Sequence, residues 1–116
     1  MNAAEFKAER ECCGLSQADV ADALDVRPLT VKRWESGHTP VPAFAAGWVG
    51  ERLEDHYAAV ADALAVVESQ PDEAVVWIRY YRTTEPGAGV ANARAREVCA
   101  ELRALGREVH LSYNEQ

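Results

Sequence analysis

The 116-residue sequence has no long apolar run and no export signal. Its longest stretch without Asp, Glu, Lys or Arg runs from Ser36 to Gly50 and contains two prolines, whereas a membrane-spanning helix needs about 20 apolar residues. The N-terminal segment MNAAEFKAERECC is acidic and amphipathic, and it lacks the basic start and apolar centre of a signal peptide. We therefore expect a cytoplasmic protein that does not bind membranes.

Cysteine is also scarce, with three residues and no CxxC spacing. Cys12 and Cys13 project about 100° apart on a helix, so neither a disulfide framework nor a zinc site is expected. The three histidines are far apart in the sequence, and no Ser-His-Asp or Cys-His arrangement is evident. The segment GAGVAN resembles a nucleotide-binding glycine loop only faintly, because Asn92 stands where the third glycine belongs. These absences favour a protein without a cofactor, a metal or catalytic activity.

The charge is strongly acidic overall but unevenly distributed. A net charge of −7, from 12 basic and 19 acidic side chains, opposes non-specific attraction to nucleic acid. The window from Arg27 to Pro40 nevertheless carries three basic side chains and a single acid, a net charge of +2. A small basic face is therefore compatible with the acidic composition.

The first 40 residues predict three short helices. Residues 3–13 have helical periodicity and follow Asn2, which is a suitable N-cap. Ser16 can cap a second helix. Pro28 suits the first position of a third helix, which Gly37 ends.

The remaining sequence predicts a helix, a strand, a helix and a strand. Apolar residues recur every three or four positions over residues 43–69, which indicates a long amphipathic helix. Residues 74–82, AVVWIRYYR, are β-branched and aromatic, as is typical of a strand. A loop at residues 85–89 precedes a helix that runs from Ala91 and is stopped by Gly106. A final strand is predicted from the alternation of Val109, Leu111 and Tyr113.

The first half contains a denser pattern. Residues 14–37, GLSQADVADALDVRPLTVKRWESG, place a helix, a tight turn and a second helix at the spacing of a helix-turn-helix. Over residues 1–40 the chain resembles the lambda-repressor/Cro-like DNA-binding family. The matching positions are Leu15, Gln17, Ala21, Val26, Val31, Trp34, Glu35 and Gly37. Asp25 replaces the family's usual turn glycine, and aspartate tolerates a positive φ better than most residues.

The resemblance implies that the third helix enters the major groove of double-stranded DNA. Arg33 would then pair with a guanine, Leu29 would contact a thymine methyl group, and Gln17 would bind a phosphate. The full set of expected DNA-binding residues is Gln17, Arg27, Pro28, Leu29, Thr30, Lys32, Arg33, Ser36, His38 and Thr39.

Three of these assignments have alternatives. Leu29 could pack in the core, and His38 could be an ordinary loop histidine. Arg27 stands where a Ser or Thr cap is usual, so either the cap is lost or Arg27 contacts DNA.

In several members of the family, the positions of Arg10 and Glu35 form a structural ion pair.

The second half is expected to form a homodimer. A single helix-turn-helix reads few base pairs, and regulators commonly duplicate it about a two-fold axis. A two-stranded sheet with one helix is too small to be stable alone, and two copies could form a continuous four-stranded sheet. The expected dimerisation residues are Leu53, Tyr57, Val60, Leu64, Val76, Trp77, Ile78, Tyr80, Val109 and Leu111. The region could instead sense a ligand or bind a protein partner.

Together these patterns predict an α+β fold with a helix-turn-helix domain (1–40), a long connecting helix (41–70) and a strand-helix-strand dimerisation region (71–116). The predicted function is a homodimeric transcriptional repressor of an inverted-repeat operator. The segment WESGHTPVP and the elements after it are similar to the anti-CRISPR-associated phage regulators, which implies autoregulation of a phage or mobile-element operon. The alternatives are an antitoxin-type DNA-binding protein whose C-terminal region binds a toxin, and a domain of this fold with another role.

Overall fold

The computed structural model describes residues 1–113 and has the α+β architecture that the sequence predicts. The last three residues of the predicted region 71–116 lie outside the described residues. In chain order the described elements are α1 (Ala3–Cys12), α2 (Gln17–Leu24), α3 (Pro28–Ser36), α4 (Ala43–Glu68), β1 (Val76–Arg79), α5 (Ala88–Ala104) and β2 (Val109–Ser112). None of the helices within residues 1–113 is long and apolar enough to cross a membrane.

Side-chain caps begin α1 and α2. The Asn2 side chain accepts a hydrogen bond from the Glu5 N–H at 2.8 Å, and the Glu5 carboxylate accepts one from the Asn2 N–H at 2.9 Å. Ser16 and Asp19 make the same reciprocal pair, at 3.0 and 2.8 Å. The predicted caps are confirmed, and each supplies a partner to an N–H that helix geometry leaves unpaired.

The turn between α2 and α3 uses aspartate in a left-handed conformation. Asp25 ends α2 with φ 54°, and Pro28 begins α3 where its missing N–H costs no intrahelical bond. Gly37 ends α3 with φ 79°. The tight turn therefore forms without glycine, because Asp is one of the few residues that adopt this backbone region.

The chain divides into two compact units, Met1–Asp55 and the part from His56 onward, and the division falls within α4. The core of the first unit is built on Trp34, whose ring packs edge-on against Phe6 and Phe44, with centroids 5.8 and 6.1 Å away. Its buried members are Phe6, Val20, Ala21, Val31, Trp34, Ala45 and Val49. Because Ala45 and Val49 belong to α4, this core extends beyond residue 40.

The second unit is organised around a parallel strand pair. Val76 lies opposite Val109, and Arg79 lies opposite Ser112. Parallel pairing needs a crossover connection, and α5 supplies it. The buried core residues, drawn from α4, β1, α5 and β2, are Val60, Val67, Val76, Val98, Cys99, Leu102 and Val109.

Two boundaries in this unit differ from the sequence prediction. β1 comprises only Val76–Arg79, although the composition predicts a strand over 74–82. A β-branched and aromatic composition favours a pleated, half-buried strand, but it does not determine the length of that strand. The length depends on the pairing partner, and β2 has only four residues. α5 begins at Ala88 rather than Ala91, because Gly87 ends the loop in a left-handed conformation with φ 74°.

Candidate nucleic-acid interface

Helix α3 has a basic, partly apolar surface opposite its buried side. Leu29, Lys32 and Arg33 are exposed at positions i, i+3 and i+4, a spacing that places them on one helix face. Leu29 is 54% exposed, so its alternative assignment as a core residue is wrong. Within residues 1–113, Lys32 and Arg33 form no ion pair. This face is therefore available to an external ligand.

Arg27 and Pro28 are exposed at the N-terminal end of α3. Arg27 is the N-cap residue, but its side chain makes no capping hydrogen bond. The loss of the usual Ser or Thr cap is thus observed. Contact between Arg27 and DNA remains a prediction.

The C-terminal end of α3 is closed by local hydrogen bonds. The Ser36 hydroxyl donates to the Arg33 carbonyl at 3.2 Å and accepts from the His38 N–H at 3.4 Å. The Thr39 N–H also donates to the Arg33 carbonyl, at 3.2 Å. Ser36 and His38 are exposed, whereas Thr30 and Thr39 are partly buried. A phosphate contact from Ser36 would therefore compete with its role in ending the helix.

A buried ion pair lies behind this surface. Arg10 donates from Nε and Nη2 to the two carboxylate oxygens of Glu35, at 2.6 and 2.9 Å, and from Nη1 to the Leu15 carbonyl at 2.8 Å. Burial alone raises the pKa of Glu35, but hydrogen bonds from Arg10 and Gln17 and the charges of Arg10 and Lys7 outweigh it and lower that pKa below its ordinary value of 4.5. The hydrogen bond to Glu35 raises the pKa of Arg10. The predicted ion pair is therefore confirmed.

Gln17, at the start of α2, belongs to the same network. Its side-chain Nε2 donates to Glu35 Oε1 at 3.1 Å. The amide nitrogen has two N–H groups, so one is engaged by Glu35 and the other can reach a further acceptor. The sequence marks Gln17 as a phosphate contact but does not indicate its bond to Glu35, which is 18 positions away.

Comparison with protein-family models matches residues 6–44 to the helix-turn-helix family, in its lambda repressor/Cro-like form. Residues 6–44 form a helix-turn-helix domain. The domain covers about a third of the chain and includes α2, α3 and all ten predicted DNA-binding residues. The function class that it indicates is a DNA-binding transcriptional regulator. A search of curated proteins found no match to the chain.

Half of the predicted dimerisation residues lie in the second core, outside the helix-turn-helix domain. Val60, Val76 and Val109 are buried there, and Leu64 and Ile78 pack against them. Their apolar surface is therefore used largely within one chain.

The other predicted dimerisation residues retain more exposed surface. Tyr57, Trp77 and Leu111 are exposed, whereas Leu53 and Tyr80 are partly buried. Trp77 is the most exposed of them, at 67%, and its ring stacks on His110 with a centroid distance of 4.8 Å. Trp77 and Leu111 therefore keep apolar surface that the second core does not use.

Proposed function

We propose that this protein is a sequence-specific transcriptional repressor that binds double-stranded DNA as a homodimer on an inverted repeat. The observation that carries the proposal is the exposed face of α3, where Leu29, Lys32 and Arg33 lie side by side on a helix-turn-helix domain. Within residues 1–113 the two cationic groups have no acidic partner to displace. The proposed activity is binding rather than catalysis.

The residues of this surface divide into base contacts and backbone contacts. Arg33 can donate two parallel hydrogen bonds to guanine N7 and O6, and Leu29 can contact a thymine methyl group. Arg27, Pro28 and Lys32 complete the groove-facing set. The expected phosphate contacts are Gln17, Thr30, Ser36, His38 and Thr39, which would fix the register of α3 without reading the sequence.

The charge distribution supports binding through this surface alone. The window from Arg27 to Pro40 has a net charge of +2 in a chain of net charge −7. Because DNA is polyanionic, the rest of the chain is repelled from it and non-specific binding is weak. Base contacts must then provide a large share of the affinity, which favours sequence-specific recognition.

Repression and dimerisation complete the proposal. Occupancy of a promoter is sufficient to block a polymerase, and two half-sites bound by a dimer are about 10 base pairs apart or a multiple of that distance. We include autoregulation of a phage or mobile-element operon, such as an anti-CRISPR operon, as the proposed setting.

An antitoxin-type function is the second candidate. It is favoured by the exposed apolar side chains of the second unit, of which Trp77 is 67% and Val66 60% exposed. Such surface could bind a toxin instead of a second copy. A toxin gene adjacent to this one, together with a monomer that binds DNA, would support the antitoxin.

Selection of duplexes from a random pool by the full chain tests the repressor directly. We expect the enriched sequences to be inverted repeats. Against the selected duplex, Arg33→Ala should weaken binding by about 1–3 kcal/mol and relax the choice at one base pair per half-site. Arg52→Ala, which removes a basic side chain of α4 outside the predicted DNA-binding and dimerisation sets, is the matched control and should leave the affinity unchanged.

Two results would refute the assignment. The first is enrichment of no sequence above the starting pool. The second is an Arg33→Ala protein that selects the same duplex with the affinity of the wild type.

A further inference from the structure

The two edges of the β1–β2 sheet are not equivalent. The N–H groups of Val76 and Tyr80 donate to the carbonyls of Glu108 and Ser112, at 3.0 and 2.8 Å. The N–H and C=O groups of successive residues in a strand point to opposite edges. The backbone groups of Val75, Trp77 and Arg79 therefore point away from β2, to the other edge of β1. No hydrogen bond within residues 1–113 engages the N–H groups of Trp77 and Arg79. β1 therefore has an open edge.

The open edge has a defined end. Tyr81 N–H donates to Asn92 Oδ1 at 2.7 Å, and Asn92 Nδ2 donates to the Tyr81 carbonyl at 2.7 Å. The buried Asn92 side chain thus pairs with Tyr81 as a neighbouring strand would. Only Val75, Trp77 and Arg79 remain open, and Trp77 is at their centre.

The outer edge of β2 is partly closed. The outward-facing carbonyl of Val109 accepts a hydrogen bond from Arg103 Nη2 at 2.9 Å. A charged side chain at a sheet edge is a common means of preventing strand addition. Strand addition is therefore favoured at β1 over β2.

A groove of about 640 Å³ lies along the open edge of β1, within the second unit. Its helical walls carry four small side chains, Ala59 and Ala63 of α4 and Ala91 and Ala95 of α5. No Asp or Glu is among its described lining residues. The four alanines leave room for a strand at the usual spacing of about 4.8 Å from β1. The charged side chains among the described lining residues are Arg79 of β1 and Arg94 of α5.

We infer that this groove receives β1 of a second copy, which pairs antiparallel with Trp77 opposite Trp77. This inference rests on the proposed homodimer and specifies its interface. The pairing places Val75 of one copy opposite Arg79 of the other and uses the same open residues on both, as two-fold symmetry requires. The product is a four-stranded sheet, β2-β1-β1-β2.

Disulfide trapping tests the register. In a full-length chain whose three native cysteines are replaced by alanine, Trp77→Cys should form a covalent dimer under mild oxidation. Cα atoms in a hydrogen-bonded antiparallel pair are about 5.5 Å apart, within disulfide reach. Leu111→Cys is the matched control, because the two Leu111 positions would be three strand spacings apart, roughly 14 Å, and should not cross-link.

A second pair of variants tests the backbone hydrogen bonds. Trp77→Pro removes the outward N–H without touching the β1–β2 ladder, whereas Trp77→Ala keeps it. The proline variant should dissociate at a concentration about tenfold or more above that of the alanine variant, because symmetry removes two hydrogen bonds. Circular dichroism of both variants establishes that the helices are retained.

The outcomes separate the interface from the proposed function. If the wild type sediments as a dimer but Leu111→Cys cross-links, the β1 interface is wrong and the homodimer is kept. The same conclusion follows if the wild type is a dimer and Trp77→Pro dissociates no more readily than Trp77→Ala. A wild-type monomer that binds DNA overturns both the interface and the homodimer.

Discussion

The Arg10–Glu35 pair offers a quantitative test of how the helix-turn-helix domain is held together. Removing the carboxylate by Glu35→Ala deletes two charge-assisted hydrogen bonds from Arg10 and one from Gln17. The guanidinium of Arg10, a residue only 8% exposed, is then left with the Leu15 carbonyl alone. Loss of one partner of a buried pair typically costs about 3–5 kcal/mol, and we expect the unfolding free energy to fall by this amount.

The double variant should cost much less than the sum of the single variants. Arg10→Met with Glu35→Leu removes both charges and fills the site with apolar atoms, a replacement that is often close to neutral. Since the Leu15 carbonyl and the Gln17 amide lose partners, we expect a residual cost of about 1–2 kcal/mol. The matching single variants, Arg10→Met and Glu35→Leu, each leave the other charge buried and should cost about 3–5 kcal/mol. The coupling energy between the two positions should therefore be at least about 2 kcal/mol.

Urea unfolding followed by tryptophan fluorescence is the assay. A Trp77→Phe background restricts the signal to Trp34 and Trp48, which both belong to the first unit. The exposed pair Arg52–Asp55, with N and O atoms 3.2 Å apart, provides the control. Asp55→Ala should cost no more than about 0.5 kcal/mol. A Glu35→Ala cost no larger than that of Asp55→Ala, or costs of Arg10→Met and Glu35→Leu that simply add, would contradict a coupled buried ion pair.

Three further predictions follow from individual contacts. Because folding lowers the pKa of Glu35, its ion pair stabilises the first unit fully above about pH 4.5, and this stabilisation is lost as the pH falls through the lower folded pKa. Urea unfolding midpoints measured against pH should therefore fall in the wild type, and Glu35→Gln should remove the part of this fall that Glu35 causes. Asp25→Gly should stabilise the domain by about 0.5–1 kcal/mol, and Asp25→Ala should destabilise it by about 1 kcal/mol, because of the strain at φ 54°. A glycine variant that is less stable than the alanine variant in thermal unfolding would contradict this strain. Asn92→Ala removes both hydrogen bonds to Tyr81, so it should cost the second unit about 2–4 kcal/mol and speed hydrogen exchange at the Tyr81 amide. Unchanged exchange there would show that these two hydrogen bonds are not formed in solution.

The parts of the fold that the sequence predicts well are those set by neighbouring residues. Asn2, Ser16 and Pro28 begin helices through contacts or constraints that act within three positions. Asp25 occupies the left-handed region because that preference belongs to its own side chain. These signals depend little on the rest of the chain, so the helix boundaries in the first unit follow from them.

The parts that the sequence did not predict depend on distant partners. The bond from Gln17 to Glu35 forms only when α2 and α3 pack, and nothing in either local segment indicates it. The length of β1 depends on β2, which begins 30 residues after β1 ends. The hydrogen bonds between Asn92 and Tyr81 require that α5 pass beside the strand. Sequence periodicity identifies β1 as a strand, but it cannot show which edge is open.

The hydrogen bond between Gln17 and Glu35 also affects the entropy cost of the proposed DNA binding. A surface glutamine usually samples many rotamers, and immobilising such a side chain on association costs about 0.5–1.5 kcal/mol. In this domain Gln17 is already tethered to a buried carboxylate, so much of its conformational freedom is lost on folding rather than on meeting the phosphate. Replacing Glu35 by leucine in the double variant would return that freedom, and a proposed DNA contact would weaken although no DNA-contacting atom had been removed.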